Sequence, residues 1–386
     1  MATTAMRHAQ MAPHSPPSSL PLPHGIRGVE ANPLCPDLPI FDLGVYLADP
    51  PACQPLCEAL AACLHTASAV VVRDPRVDEG ASEAFLDLME AYFDQPREAK
   101  LPDVRPDLAY QVGATPDGTE RPRCLADSAI LRRAEAELGE ADRPTPPQGP
   151  DSKWRFFWRL GEWPAQTRFQ ELNAAPVVPA AFPEWGRVMD RWGTGLLATI
   201  ACVAEAAARG WRLPPDAFTA RMALGPHLLA PTGVDLGRAP REGDVYAGYH
   251  YDLNFLTAHG AARYPGLHAW LRCGRRVAVR IPRGCLLLQA GKQMEWLTGG
   301  HVRAGFHEVV CTRGTLEAAQ RAQREGRPLW RVSSTVFSQI GSDCLLRPLG
   351  PFATEAACAA YPDTLCGEQV KAELAAINLS GTSAQD

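Results

Sequence analysis

The stretch between residues 218 and 346 consists of short apolar runs separated by glycine and proline. Runs of this length, bounded by turn residues, are typical of β-strands, and a long series of them predicts an all-β sandwich or jelly roll. One stretch of helical character, GTLEAAQRAQREG, interrupts the series, and we predict that this helix ends at Gly326. The pattern therefore restricts the chain to a mainly β fold with helical additions.

The remaining segments divide the chain into four parts. Residues 1–36 are rich in proline and serine, and we predict an unstructured tail there. Helix and strand patterns alternate over residues 37–205, with a loop insertion rich in proline and charge near residues 117–151. The β domain would span residues 206–350, and short helices would follow over residues 351–386. We therefore expect a β core braced by N-terminal and C-terminal helices.

Composition argues against several classes of function. The formal net charge of −5 provides no positive field for nucleic acid, and no window approaches the ~20 apolar residues of a membrane helix. Twelve cysteines are scattered without a Cys-x-x-Cys pair, which favours reduced thiols in the cytoplasm. The tail has no acid before Glu30, so organellar targeting is a weaker alternative. We expect a monomer that binds a small molecule, and neither nucleic acid nor membrane.

The string YAGYHYDLNFLT carries a pair of metal-binding residue types. His250 and Asp252 lie two residues apart among aromatic and apolar residues that favour a strand. On a strand, residues i and i+2 project from the same face, so the imidazole and the carboxylate would converge on one point. His301 and His307 follow as candidate third ligands. Two histidines and one carboxylate on one face of a metal are typical of non-haem Fe(II) oxygenases. Taken alone, the pair has a simpler interpretation, a strand histidine beside an exposed acid.

The order and spacing of the later motifs resemble the isopenicillin N synthase-like group of Fe(II)/2-oxoglutarate dioxygenases. In that family a single histidine follows the His-x-Asp pair at a long spacing, and His307 lies 55 residues after Asp252. An Arg-x-Ser motif comes next, here Arg331 and Ser333, with the arginine 24 residues after His307. The segments AGKQMEWLTGG and YPGLHAW also match the family in order. His301, directly after a Gly-Gly turn, is then not expected to be a ligand.

The N-terminal region is similar to the same family. Its Phe-x-x-Pro-x-x-x-Lys phrase is represented by Phe93, Pro96 and Lys100. Tyr110 and Gly113 stand where the family often has an aromatic-Gly loop at the mouth of the active site. We therefore predict that Tyr110 lines the substrate wall, with simple packing as the alternative.

The resemblance implies a double-stranded β-helix (jelly roll) core and roles for five residues. His250, Asp252 and His307 would hold Fe(II) as the catalytic centre. Arg331 would bind the far carboxylate of the co-substrate 2-oxoglutarate, with Ser333 donating a hydrogen bond. A guanidinium presents a planar pair of donors that matches a carboxylate, and the i, i+2 spacing would place the hydroxyl on the same face. The implied reaction uses O2 to hydroxylate or otherwise oxidise a small molecule, with release of succinate and CO2.

Three positions depart from the family pattern. The segment PHLLAP, between Pro226 and Pro231, lacks the tyrosine that often helps to hold 2-oxoglutarate. Glu308 stands where an arginine commonly follows the third ligand, and Lys292 stands where an aspartate is usual. Two alternatives therefore stay open. One is an Fe(II) oxidase of the same fold that does not use 2-oxoglutarate, and the other is a catalytically silent member that binds or senses a ligand.

Overall fold

The computed structural model describes residues 25–377 and Leu379. Within these residues the chain forms seventeen β-strands and twelve α-helices, numbered here in chain order. Strands β1 to β17 are Val29–Glu30, Ile40–Asp42, Ala69–Arg73, Gly113–Thr115, Trp154–Leu160, His227–Leu229, Thr232–Asp235, Val245–His250, Leu256–His259, Leu267–Trp270, Arg276–Ala278, Cys285–Ala290, His307–Val310, Trp330–Val332, Thr335–Ser338, Leu345–Leu346 and Thr364–Leu365. Helices α1 to α12 are Leu43–Ala48, Gln54–Ala67, Glu79–Phe93, Arg97–Lys100, Arg123–Ala126, Ser128–Glu137, Trp185–Gly210, Thr219–Met222, Lys292–Leu297, Arg313–Arg324, Glu355–Ala360 and Cys366–Ala376.

Two sheets form the centre of the molecule. The larger sheet has eleven strands in the order β1-β2-β3-β12-β9-β15-β6-β5-β7-β14, with β4 paired to β5. The smaller sheet has four strands in the order β11-β10-β13-β8. Strands β2 and β3 are parallel, whereas the other paired strands in the described residues are antiparallel. The prediction of a mainly β fold with helical additions is confirmed at this level.

The two sheets enclose one apolar layer between them. Val71 of β3 and Leu287 of β12 face inward from the larger sheet, and Ala269 of β10 and Val277 of β11 belong to the same buried cluster. Because side chains alternate along a strand, the residues next to these point to the other face of the larger sheet. The inner faces of the two sheets therefore supply one part of the core.

The outer face of the larger sheet packs against the long helices α2, α3 and α7. Val70 and Val72 of β3 are fully buried there in the largest core cluster. Helices α2 and α7 approach closely because Gly210 has no side chain: a Cβ at this position would lie 2.3 Å from the backbone oxygen of Cys57. Helix α7, the longest of the described helices, thus braces one side of the β core.

The N-terminal part of the chain joins the larger sheet. Residues 1–24 of the predicted tail lie outside the described residues, but β1 pairs with β2, and the buried Asn32 donates from Nδ2 to the Leu38 oxygen at 2.9 Å. Paired and buried structure is therefore present before residue 36. Because β1 to β5 belong to the same sheet as later strands, the predicted division at residue 205 does not separate two sheets.

The predicted loop insertion near residues 117–151 contains two short helices, α5 and α6. Cys124 of α5 and Ala134 of α6 are buried against Tyr249 and Trp270 of the smaller sheet. The stretch is a covering layer because it places apolar side chains at helical spacing between its charges. The C-terminal segment forms the two predicted short helices, α11 and α12. No helix in the described part of the chain is both long and apolar enough to cross a membrane.

Candidate metal centre

Two strands of the smaller sheet bring the predicted ligands together. Strand β8 ends at His250 and β13 begins at His307, and these two residues are direct cross-strand partners with ring centroids 4.2 Å apart. Asp252 lies two residues beyond the end of β8, so the predicted placement of both residues on one strand face is wrong: the loop after β8 positions the carboxylate. Asp252 Oδ1 lies 3.8 Å from His250 Nε2 and 3.7 Å from His307 Nε2.

A second layer of hydrogen bonds orients these three side chains. His250 Nδ1 lies 2.6 Å from the Gly248 oxygen, and His307 Nδ1 lies 3.3 Å from the Gly305 oxygen. A carbonyl can only accept, so each Nδ1 carries the proton and each Nε2 presents a lone pair. Thr257 Oγ1 donates to Asp252 Oδ2 at 2.6 Å, which leaves Oδ1 free. Such outer partners are characteristic of metal-binding histidines and carboxylates.

The protonation states also suit a cation. Burial lowers the pKa of His250 to about 3, so its imidazole is neutral near pH 7. Burial alone would raise the pKa of Asp252, but the adjacent His307 and His250 outweigh it and hold that pKa below its ordinary value. Neutral imidazole and ionised carboxylate are the forms that bind metals.

The donor set fits Fe(II). One nitrogen from each histidine and one carboxylate oxygen lie within 4.8 Å of one another. The three side chains open onto a cavity of about 590 Å³. Two histidines and one carboxylate with open positions are characteristic of non-haem Fe(II) sites. His301 lies elsewhere, stacked on His65 with ring centroids 4.1 Å apart, as its exclusion from the ligand set predicted.

Arg331 and Ser333 line the same cavity. Arg331, in β14, is only 4% exposed, and its Nε donates to the Pro265 oxygen at 3.1 Å. Burial lowers its pKa to about 10, which leaves it charged near pH 7, yet no carboxylate pairs with it among the described residues. Ser333 lies just past β14, where its Oγ accepts from both the backbone nitrogen and Oγ1 of Thr232 at 2.9 Å. The Ser333 hydroxyl proton thus stays available to a ligand.

Another part of the cavity wall holds four charged side chains that the sequence interpretation missed. Arg155 Nη1 donates to Glu120 Oε1 at 2.9 Å. Lys153 Nζ lies 3.2 Å from Glu120 Oε2 and also contacts Asp151. Asp151 Oδ1 in turn accepts from the Gly248 nitrogen at 3.1 Å. This charged wall, defined as Glu120, Asp151, Lys153 and Arg155, has no net charge, because two acids offset two bases.

A comparison with solved structures identifies the fold. A 2OG-Fe(II) oxygenase family protein from Caulobacter crescentus is 22% identical in sequence, with a TM-score of 0.67, covering 88% of this chain and 98% of that one. The chain has the fold of the 2-oxoglutarate-Fe(II) oxygenases. The fold expected from the sequence resemblance is thereby supported.

Two further solved structures with this oxygenase fold are similar. A full-length protein from Neurospora crassa, in complex with α-KG (2-oxoglutarate), is 16% identical with a TM-score of 0.66, covering 88% of this chain and 96% of that one. The rice dioxygenase for auxin oxidation is 16% identical with a TM-score of 0.56, covering 88% and 95%. No family model matches the sequence, and no curated protein matches it either.

Within the oxygenase fold, three sequence positions have structural explanations. Tyr110 is not among the residues that line the cavity: it has a φ of 55° and packs against the large core, so the structure does not bring it to a substrate wall. Glu308 is fully buried and pairs with Arg276, beside the ligand His307. Lys292 Nζ donates to Glu295 Oε1 at 2.6 Å.

The charged wall had a sequence signal of its own. Lys153, Arg155, Phe157 and Arg159 recur at every second position of an otherwise aromatic run. Alternation of this kind places the charges on one face of β5, and a strand with charges on a buried face is unusual. The pattern could have identified a polar cavity wall. It could not have identified Glu120 and Asp151 as the acids that pair with Arg155 and Lys153, because both come from the predicted loop insertion near residues 117–151.

Proposed function

We propose that this protein is an Fe(II)- and 2-oxoglutarate-dependent oxygenase that hydroxylates or otherwise oxidises a small molecule, with release of succinate and CO2. One observation carries the proposal: an open-faced His-Asp-His triad lines the same cavity as a buried guanidinium that has no carboxylate partner among the described residues. A dicarboxylate that binds a metal at one end and Arg331 at the other satisfies both. The α-KG complex of the similar Neurospora crassa protein supports this assignment of the co-substrate.

The residues of this chain would perform binding, orientation and exclusion of water. His250, Asp252 and His307 would hold the ion, and Fe(II) when bound supplies the redox chemistry that couples O2 to decarboxylation of 2-oxoglutarate. Arg331 would bind the far carboxylate, and Ser333 would donate its free hydroxyl proton to the same group. Phe157 and Phe337 belong to an apolar cluster that also lines the cavity, so this part of the wall would exclude water from the substrate.

The finer features of the fold belong to the same proposal. We assign the two facing sheets as a jelly roll, since their antiparallel strands enclose the metal site at one end. A monomer acting on a small molecule, and a cytoplasmic location, stay predictions of the sequence.

One observation favours a second candidate. Leu228 and Ala230 line the cavity in the segment where the sequence lacks a tyrosine, so this wall offers no side-chain hydrogen bond to 2-oxoglutarate. An Fe(II) oxidase of the same fold would use Arg331 to bind a carboxylate of the substrate itself. A catalytically silent member that binds or senses a ligand is disfavoured by the intact triad, and a purified protein that binds no iron would restore it.

The deciding experiment is an anaerobic titration of Fe(II)-loaded protein with 2-oxoglutarate, followed by the visible charge-transfer band of the chelate. The wild-type protein should develop the band, and His307→Ala should not, because the triad is broken. Arg331→Met should need about tenfold or more co-substrate, since a charged hydrogen bond pair is lost. Arg327→Met, which changes an exposed arginine shortly before the same strand, is the matched control and should behave as wild type.

The outcomes separate the candidates. A band that depends on His307 and Arg331, followed by succinate production in air, supports the proposed function. Iron binding without a band at any 2-oxoglutarate concentration would favour the substrate-only oxidase, and oxygen uptake without succinate would confirm it. Absence of iron binding in the wild-type protein contradicts both enzymatic candidates.

A further inference from the structure

The loop between β8 and β9 carries Asp252 and forms neither helix nor strand. Three successive backbone oxygens of this loop, those of Asp252, Leu253 and Asn254, accept hydrogen bonds from other elements. Lys292 N donates to the Asp252 oxygen at 2.8 Å, and Gln293 N donates to the Asn254 oxygen at 3.0 Å. Both of these donors are backbone groups at the start of α9. The position of the ligand Asp252 therefore depends on contacts from outside its own loop.

The middle oxygen of the three is held by the C-terminal helix α12. In the described part of the chain, no backbone N–H donates to the Leu253 oxygen. Its donor is the side chain of Gln369, whose Nε2 lies 3.1 Å away. Gln369 is only 5% exposed, so water has little access to replace this contact. One buried side chain thus links α12 to the residue directly after Asp252.

A chain of buried amides fixes the direction of this contact. The Ile340 nitrogen donates to Gln293 Oε1 at 2.9 Å, so Nε2 of the same amide is the donor end. Gln293 Nε2 donates in turn to Gln369 Oε1 at 3.1 Å. Gln369 Nε2 then donates to Leu253, whose carbonyl can only accept. Because a backbone donor begins the chain and a backbone acceptor ends it, only one arrangement of the amides satisfies every link.

Helix α12 is packed well enough to serve as a support. Val370 and Leu374 belong to the largest core cluster, and Leu374 also lines the cavity. The Cys366 nitrogen donates to the Cys344 oxygen at 2.9 Å, which fixes the start of the helix. A shift of the loop away from α12 would leave two buried polar groups unpaired, which costs more than the hydrogen bond itself contributes.

We propose that Gln369 is a positioning residue for the metal ligand Asp252. This inference rests on the metal centre of the proposed function and extends that centre to the C-terminal helix. Gln369 holds the loop backbone, whereas Thr257 holds the carboxylate itself. Metal binding requires ligand atoms placed to within about 0.2 Å. A loop released at Leu253 would present the carboxylate in several positions and bind the ion less tightly.

The test combines Mn(II) titration without co-substrate with urea unfolding of the apo-protein. Gln369→Met keeps the length of the side chain and removes the amide. It should raise the Kd for Mn(II) by about tenfold or more, as is typical when an outer partner is lost. The EPR spectrum of the Mn(II) that still binds should differ from that of wild type, because the carboxylate is displaced. Gln369→Asn retains an amide but is one methylene shorter, so it cannot reach both partners and should also weaken binding.

A neighbouring residue of α12 provides the matched control. Val370→Ala removes buried carbon atoms from the same helix, so it should lower the urea midpoint. Its Kd for Mn(II) and the EPR spectrum should stay as in wild type, because the link from Gln369 to Leu253 is intact.

Two results overturn the inference alone: wild-type Mn(II) affinity and spectrum in Gln369→Met, or an equal loss of Mn(II) affinity in Val370→Ala. The second result would mean that Gln369 acts only through the stability of the helix. A wild-type protein that binds neither Mn(II) nor iron overturns the proposed metal centre and this inference together.

Discussion

The metal centre and the charged wall line one cavity, yet different parts of the chain hold them in place. At the metal centre, backbone carbonyls orient both histidines: His250 through Gly248 and His307 through Gly305. In the charged wall the side chains hold one another, as when Arg155 donates to Glu120. A site oriented by the backbone depends on strand register, whereas a site oriented by mutual charge depends on every member being present. Single substitutions should therefore act on function in the first region and on stability in the second.

The largest effect is expected for Asp252→Ala. Removal of the carboxylate leaves two neutral imidazoles, and we expect the protein to retain no stoichiometric iron or Mn(II). The free energy of unfolding in the absence of metal should change far less than metal affinity does, because the histidines keep their backbone partners. Metal analysis together with urea unfolding of the apo-protein checks both parts. If the apo-protein unfolds as the metal is lost, the metal centre is not backbone-oriented.

Lys153→Met should lower the stability of the fold while metal affinity is preserved. The substitution leaves Asp151 and Glu120 short of a positive charge inside the protein, and breaking a buried ion pair costs about 3–5 kcal/mol. We expect that loss in the free energy of unfolding from urea titration, with Mn(II) affinity preserved below the unfolding transition. Stability close to wild type would show that water solvates these acids and that the wall is not a closed cluster.

Protonation of Glu120 in the charged wall should lower the free energy of unfolding at acid pH. Burial would raise the pKa of Glu120, but the charges of Arg155 and Lys153 outweigh it and lower that pKa to about 2, against 4.5 in the unfolded chain. The unfolded chain therefore binds the proton first, so this contribution is complete above pH 4.5 and is lost as the pH falls toward 2. Glu120→Gln should flatten the fall of unfolding free energy over this range. Asp151→Asn should change the slope in the opposite direction, because burial raises the pKa of Asp151.

Thr257→Val tests the outer layer of the metal centre. The hydroxyl that donates to Asp252 is removed while the volume is kept, and loss of such an outer partner typically costs about 10- to 100-fold in metal affinity. Mn(II) titration measures the change, and Thr335→Val, on the partner strand, is the matched control. Equal affinities for the two variants would mean that the loop after β8 alone orients the carboxylate.

The smallest change is expected at an exposed ion pair. Arg313 Nε donates to Glu317 at 3.1 Å, but the arginine side chain is 84% exposed. Such pairs contribute about 0.5 kcal/mol or less. Arg313→Ala should therefore alter the free energy of unfolding by no more than that amount. The expectation for Lys153→Met assumes that buried ion pairs stabilise the fold more than exposed ones do. A larger loss of unfolding free energy in Arg313→Ala would contradict that assumption.

The sequence predicted the metal ligands better than the geometry that unites them. His250, Asp252 and His307 could be chosen because residue type, order and spacing all agreed, and Arg331 with Ser333 followed from the same order. Convergence of the His250 imidazole and the Asp252 carboxylate was also predicted and is observed, but a loop beyond β8 directs Asp252, and not the strand face that the spacing indicated.

The sequence predicted the elements whose hydrophobic pattern lies within one short segment. It did not predict the contacts between residues that are far apart in the chain. Short apolar runs indicated strands, and the stretch GTLEAAQRAQREG indicated the helix that is present as α10. The cover over the smaller sheet escaped prediction, because α5 and α6 lie in a stretch dominated by proline and charge. The charged wall escaped for a similar reason: its pairs join Arg155 to Glu120 across 35 residues, and single-sequence patterns carry no information on such pairing.

The direct pairing of His250 with His307 has a consequence for how the chain could be rearranged. The two lie 57 positions apart in sequence, yet the hydrogen-bonded register of β8 and β13 sets their distance. The connection between them includes an exposed turn at Cys273. New termini are tolerated best at exposed turns. A circular permutant opened there would have its new termini between His250 and His307 in sequence. Both histidines would still pair in one sheet, so the metal centre should be retained.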